Sequence, residues 1–162
     1  VSIAMQKMSR TVSGCRAAVV GYGRIGKMLA HLLARIGAEV TVAARNGGQL
    51  AEAASFGYRT LRISENAPYR GLEKLLDREG CDVIFNTAPA RLFDEKVIRR
   101  MDKEILIIDL ASVPGGVDFA AAKDKGIEAV WALSLPGKYA PESAGAIIAD
   151  VLDELFESEG II

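Results

Sequence analysis

Residues 17–26 read Ala17-Ala18-Val19-Val20-Gly21-Tyr22-Gly23-Arg24-Ile25-Gly26, and Met28, Leu29, Leu32, Leu33 and Ile36 continue from Ile25 at helical spacing. A short apolar run therefore turns, through three glycines, straight into an amphipathic helix. A GxGxxG pattern by itself is weak, because many loops satisfy it. Its position between a buried strand and a helix is what the mechanism requires. Gly21 permits the tight turn, Gly23 lets a pyrophosphate approach the backbone, and Gly26 lets the helix pack closely on the strand. The helix mouth then offers N–H donors to the phosphates. Gly37 stands where a C′ glycine would stop the helix.

Outward from that turn the same alternation repeats. Strand-like runs fall at residues 17–20, 39–44, 58–63, 82–86, 105–110 and 128–133. Helical patterns fall at 49–56, 68–78, 92–101 and 117–125, and a long one carries Ala144, Ile147, Ile148, Val151, Leu152, Leu155 and Phe156. Strands alternating with helices predict a parallel sheet covered on both sides. The expected fold is an α/β, doubly wound Rossmann sheet of order 3-2-1-4-5-6, in a single domain. Residues 14–162 would form that domain. In residues 1–13, Ile3, Ala4, Met5 and Met8 would line a short helix, read either as a frayed terminus or as a segment arriving from a preceding domain.

Composition narrows the function classes. The chain has 162 residues, half of them apolar, which suits one domain of roughly 100–200 residues and excludes intrinsic disorder. Twenty Lys and Arg against 21 Asp and Glu give a net charge of −1, no footprint for nucleic acid or an anionic membrane. No apolar run reaches the roughly 20 residues that span a bilayer. Cys15 and Cys81 sit in apolar stretches without a CxxC or a Cys/His cluster. They read as core thiols of a cytoplasmic protein, with no metal site.

The second strand's end selects the dinucleotide. An NAD site usually carries Asp or Glu there for the ribose 2′-OH. This chain reads Ala43-Ala44-Arg45-Asn46, with no acid before Glu52. Arg45 would hold a 2′-phosphate through charge-assisted bonds with Asn46 as a supporting donor, which favours NADP over NAD. The reactive end should be lined by the stretches after the fourth, fifth and sixth strands. Those stretches are Asn86-Thr87-Ala88-Pro89, Asp109-Leu110-Ala111-Ser112, and Ser134-Leu135-Pro136-Gly137-Lys138-Tyr139-Ala140-Pro141. Lys138 and Ser112 are the candidates for meeting an anionic substrate. The single histidine, His31, falls on the helix face opposite the Ile25–Leu29–Leu33 stripe and reads as a surface residue. No Ser/His/Asp set, Cys/His pair or carboxylate dyad stands at a strand end, so no catalytic residue is assigned. Hydride chemistry needs none of these sets, since the cofactor carries it.

Gly21-Tyr22-Gly23-Arg24-Ile25-Gly26-Lys27, Ala43-Ala44-Arg45, Asn86-Thr87-Ala88-Pro89, Ile108-Asp109-Leu110-Ala111-Ser112 and Leu135-Pro136-Gly137-Lys138-Tyr139-Ala140-Pro141 occur together and in order. In this the chain resembles the C-terminal NAD(P)-binding domain found in the family of dipicolinate synthase A subunits. The DLAS and LPGKYAP stretches are the distinctive ones. The resemblance implies an oxidoreductase of spore-forming bacteria that oxidises dihydrodipicolinate to dipicolinate, working with a flavoprotein-like B subunit. It also implies an N-terminal α/β domain that is absent here, and a homo-oligomer is expected. By analogy Gly21, Gly23, Arg24, Ile25 and Gly26 would hold the pyrophosphate and Arg45 the adenosine ribose. Thr87, Ala88, Pro89 and Ser112 would lie along the nicotinamide. The alternatives are the cofactor domain of another two-domain dehydrogenase (2-hydroxy-acid, alanine or shikimate type) and a non-catalytic nucleotide sensor. Such sensors also begin with GYGR but usually keep an acid after the second strand.

Overall fold

The structure is a computed structural model and describes residues 1–64, 71–77 and 79–159. It divides into two compact units, Val1–Trp131 and Ala132–Ile162. The first holds a six-stranded sheet of β1 (Arg16–Val20), β2 (Glu39–Ala44), β3 (Arg59–Arg62), β4 (Val83–Asn86), β5 (Leu106–Asp109) and β6 (Ala129–Trp131). The spatial order is β3-β2-β1-β4-β5-β6 and every pairing is parallel. This is the doubly wound Rossmann arrangement that the alternation predicts.

Right-handed crossovers put helices on opposite faces as the chain winds outward from β1 in each direction. On one face lie α2 (Arg24–Arg35) and α3 (Gly47–Ser55); α1 (Ser2–Lys7) packs against β5. On the other, α4 (Glu95–Arg100), α5 (Phe119–Lys125) and a 3-10 turn at Glu73–Leu75 bury Val97, Ile98, Ala122 and Leu75 against Ala18, Val20, Ile84 and Ile107. Alternate strand residues thus serve opposite faces, so β1, β4 and β5 are apolar throughout their middles. The helix caps follow local chemistry. Asn46, Asp94 and Asp118 each accept the third backbone N–H of their helix. Gly37, at φ 89°, ends α2 by donating to Ala34 while Ala38 donates to Leu33.

Asp82 ties the amino ends of β1 and β4 together. Its carboxylate accepts from the Arg16 backbone N–H at 2.8 Å and from the Arg16 guanidinium at 3.3 Å on both oxygens. Arg10 adds a cation at 3.8 Å. Burial pushes this carboxyl upward, and the Arg16 bonds outweigh that and hold it below the usual carboxylate range. Cys15 and Cys81 are buried free thiols, as expected, and burial drives Cys81 up to about 12.

Three local expectations are corrected. The contact side of α2 is Gly26, Ala30 and Leu33, whereas Ile25, Met28 and Leu32 are 60%, 76% and 49% exposed. The reason is proximity: a helix this close to its strand seats small residues there and turns the larger ones aside. His31 is half-buried, with Nδ1 2.6 Å from the Tyr58 hydroxyl and its ring edge-on to Phe56. The loop expected after the sixth strand contains a five-residue helix, α6 (Leu135–Tyr139), with Pro136 in its first turn, where a missing N–H costs nothing. In the second unit α7 (Pro141–Ser158) follows, with Ile147, Ile148 and Val151 exposed along it. Part of the helical pattern at 68–78 lies outside the described residues. No helix among those residues is long and apolar enough to cross a membrane, and no group of three or more His, Cys, Asp or Glu is placed to hold a metal.

Candidate dinucleotide site

The crossovers leave in opposite directions between β1 and β4, and the backbone there is held by its own bonds. Thr87 N–H donates to the Val20 carbonyl at 2.8 Å, and the Thr87 hydroxyl donates there too, at 3.0 Å. Gly21 N–H donates to Ala43 at 2.8 Å. Gly21 has a φ of 92°, and a Cβ on it would stand 2.6 Å from Thr87 Oγ1, so both conformation and space demand glycine. A Cβ on Gly26 would meet the Gly21 carbonyl oxygen at 2.2 Å. Gly23 differs. It precedes α2 with extended backbone, and a Cβ there would meet nothing within 4 Å. Among the described residues nothing asks for glycine at 23.

A cleft of about 460 Å³ opens over this turn, lined by Gly21, Gly23, Arg45, Asn46, Thr87, Ala88 and Pro89 among others. That volume lies in the range of small-molecule and cofactor sites. Seven predicted site residues thus share one cavity wall. Arg24, Ile25 and Gly26 form the first turn of α2 beside it. Tyr22, Gln49, Ile63 and Leu92 also line the cleft, though the sequence reading does not single them out as site residues. Ile63 carries a readable signal, since it directly follows β3, where an apolar floor reaches the cleft. Tyr22 is buried, and its hydroxyl has no partner among the described residues. Glu52, the first acid after β2, is ion-paired to Lys27 at 2.6 Å. The Asn46 side-chain oxygen is engaged as the cap of α3, accepting from Gln49 at 3.1 Å.

Asn86 and Asp109 are fully buried beneath the cleft rather than in its wall. Asn86 Nδ2 donates to Asp109 Oδ1 at 2.8 Å and to the Ala88 carbonyl at 3.1 Å. Asp109 also accepts from Ala111 N–H at 3.0 Å and Gly116 N–H at 2.7 Å. One pair of side chains therefore shapes the loops after β4 and β5 together. Trp131 closes the second loop: its Nε1 donates to the Ala111 carbonyl at 3.2 Å, and a Cβ on Gly115 would touch its ring at 3.2 Å. Ala111 is buried, and Ser112 projects from that loop, exposed. Lys138 belongs to the second unit, exposed on α6.

A glycine turn at a sheet's switch point, opening a helix and flanked by a cleft, is the architecture of a dinucleotide-binding domain. Residues 3–114 match the family described as D-isomer specific 2-hydroxyacid dehydrogenase, NAD binding domain, and the chain belongs to that family. Within it the similarity is to the A subunit of dipicolinate synthase. The chain is 37% identical over 155 residues to that protein from Bacillus subtilis (strain 168), covering 96% of this chain and 50% of the relative. The solved A subunit of Bacillus halodurans superposes with a TM-score of 0.86 at 39% identity, over 96% of this chain and 50% of that one. Its solved counterpart from Bacillus subtilis gives a TM-score of 0.87 at 37% identity, over 97% and 50%. The pyruvate reductase of Chlamydomonas reinhardtii shares the fold, with a TM-score of 0.56 and 21% identity over 78% of this chain and 38% of that one. The motif resemblance is therefore borne out, and the chain spans about half the length of the dipicolinate synthase relatives it matches.

Proposed function

We propose that this chain is the pyridine-nucleotide-binding domain of a dipicolinate synthase A subunit, and that it takes NADP in preference to NAD. The observation that carries the reading is Gly23, a glycine that neither backbone conformation nor packing requires, standing at the mouth of α2 beside the cleft. A missing side chain there leaves room for a diphosphate against the N–H groups of the first helical turn. Gly21, Gly23, Arg24, Ile25 and Gly26 would hold the pyrophosphate, and Arg45 with the Asn46 amide nitrogen the 2′-phosphate. Thr87, Ala88, Pro89 and Ser112 would flank the nicotinamide. Asn86, Asp109 and Ala111 would act one layer below by fixing those loops. The bound cofactor supplies a hydride acceptor.

In the whole protein the substrate would be dihydrodipicolinate, oxidised at a ring CH–CH group to aromatic dipicolinate for spores. Ser112 and Lys138 are the candidates for contacting its carboxylates. A homo-oligomeric state, a cytoplasmic setting, an N-terminal domain from which residues 1–13 arrive as a helical segment, and a flavoprotein-like B subunit belong to the same proposal. The similarity to dipicolinate synthase supports it over the other two-domain dehydrogenases. The acid-free end of β2 supports it over a nucleotide sensor.

Calorimetric titration of the chain with NADPH and NADH tests the cofactor reading. NADPH is expected to bind more tightly. Arg45→Glu is expected to weaken NADPH by about tenfold or more, the scale of a lost charged hydrogen bond, while NADH changes little. An equal loss for both cofactors would refute the role of Arg45.

A further inference from the structure

The neighbouring strand brings a second guanidinium to the same place. Ala44, the last residue of β2, pairs in register with Arg62, the last residue of β3. Arg45 and Arg62 therefore leave the carboxyl ends of adjacent strands side by side. The Arg62 side chain turns back over the start of α3, so that a Cβ on Gly47 would stand 3.3 Å from its Nη1. It lies beside Asn46, which lines the cleft. The two arginines of β3 are treated differently. Arg59, at the opposite end, has Glu39 at 3.8 Å, whereas no carboxylate among the described residues is bonded to Arg62. Two exposed arginines thus leave one rim of the sheet from adjacent strand ends, and an anion between them would meet charge from both.

We propose that Arg62 is a specificity-determining residue that shares the 2′-phosphate of NADP(H) with Arg45 and rejects the bare 2′-hydroxyl of NAD(H). The proposal rests on the NADP reading above. A phosphomonoester near pH 7 carries close to two negative charges and three acceptor oxygens, more than one planar fork satisfies. A ribose hydroxyl offers no charge, so it gains nothing from a second cation.

The test is titration of the full chain and its Arg62→Gln, Arg62→Lys and Arg45→Gln variants with NADPH and NADH, with thermal melting to check each fold. Arg62→Gln is expected to weaken NADPH about tenfold or more and to leave NADH within about twofold. Arg62→Lys should fall between, because the charge persists without the fork. NADPH binding to Arg62→Gln at the wild-type level, with Arg45→Gln impaired, overturns the proposal and leaves the NADP reading standing. Equal weakening of both cofactors overturns it too, since that is the mark of a disturbed edge strand. A wild-type chain that holds NADH as tightly as NADPH removes the reading and the proposal together. Should Arg62→Gln not fold, Arg62→Lys decides: selective weakening of NADPH supports the proposal, and unchanged NADPH binding overturns it.

Discussion

Gly23 and Gly26 stand three residues apart in one turn and answer to different constraints. Gly26 faces the Gly21 carbonyl so closely that any side chain would displace main chain. Gly23 faces open space. Gly23→Ala is therefore expected to fold normally, changing stability by no more than about 1 kcal/mol through loss of a tolerated helix-start glycine. The same variant should lose NADPH and NADH alike by about tenfold or more, because the new methyl stands where the diphosphate meets the backbone. Calorimetry beside a melting curve measures both. Undiminished binding would mean that the turn is only a turn. Spacing alone makes all three glycines legible as a motif. It cannot distinguish those that serve packing from the one that serves a ligand, since that depends on which atoms face each Cα.

At the scale of elements, the alternation of apolar runs with helical patterns is enough to place six strands in their order, because a parallel sheet buries both faces and leaves few polar residues in its central strands. Features set by tertiary contact stay hidden. The Ile25–Leu29–Leu33 stripe of α2 is a true periodicity, yet the sheet receives Gly26, Ala30 and Leu33, the residues small enough or suitably turned to sit there. Asn86 and Asp109 read as site residues because they end strands, and their mutual bond beneath the loops has no local signature. Asp82 is legible only as the start of a strand; its clamp on Arg16 spans 66 positions. Because that clamp depresses the Asp82 carboxyl, its stabilisation is present above the unfolded carboxyl value and fades as pH falls through the depressed one. Asp82→Asn is expected to cost about 1–3 kcal/mol near neutral pH, the range for a buried hydrogen bond to a charged group. It should also flatten the acid limb of the stability profile. Denaturant unfolding from pH 7 down to pH 3 checks both, and a variant with the wild-type slope and midpoint would show that the clamp contributes nothing.

For the whole molecule, fold and site meet in one equilibrium. Residues of the cleft come from the ends of β1, β2 and β4 and from the starts of α2 and α3, elements distributed across the Val1–Trp131 unit. Unfolding that unit scatters them, so a nucleotide that binds only the assembled cleft must raise its stability by mass action. At a hundredfold excess over the dissociation constant the gain is about 2.7 kcal/mol, and at about 2–4 °C per kcal/mol for this size the melting temperature should rise by roughly 5–10 °C. At one fixed concentration NADPH should raise it more than NADH, by an amount set by the 2′-phosphate alone. Gly23→Ala, weakened about tenfold or more, should cut both shifts to about half or less while melting near the wild-type temperature without ligand. Melting curves recorded across a nucleotide series separate the possibilities. Equal shifts with both nucleotides remove the arginine argument but keep the cradle. Shifts that survive Gly23→Ala undiminished remove the cradle itself, and with it the reason for reading this cleft as a dinucleotide site.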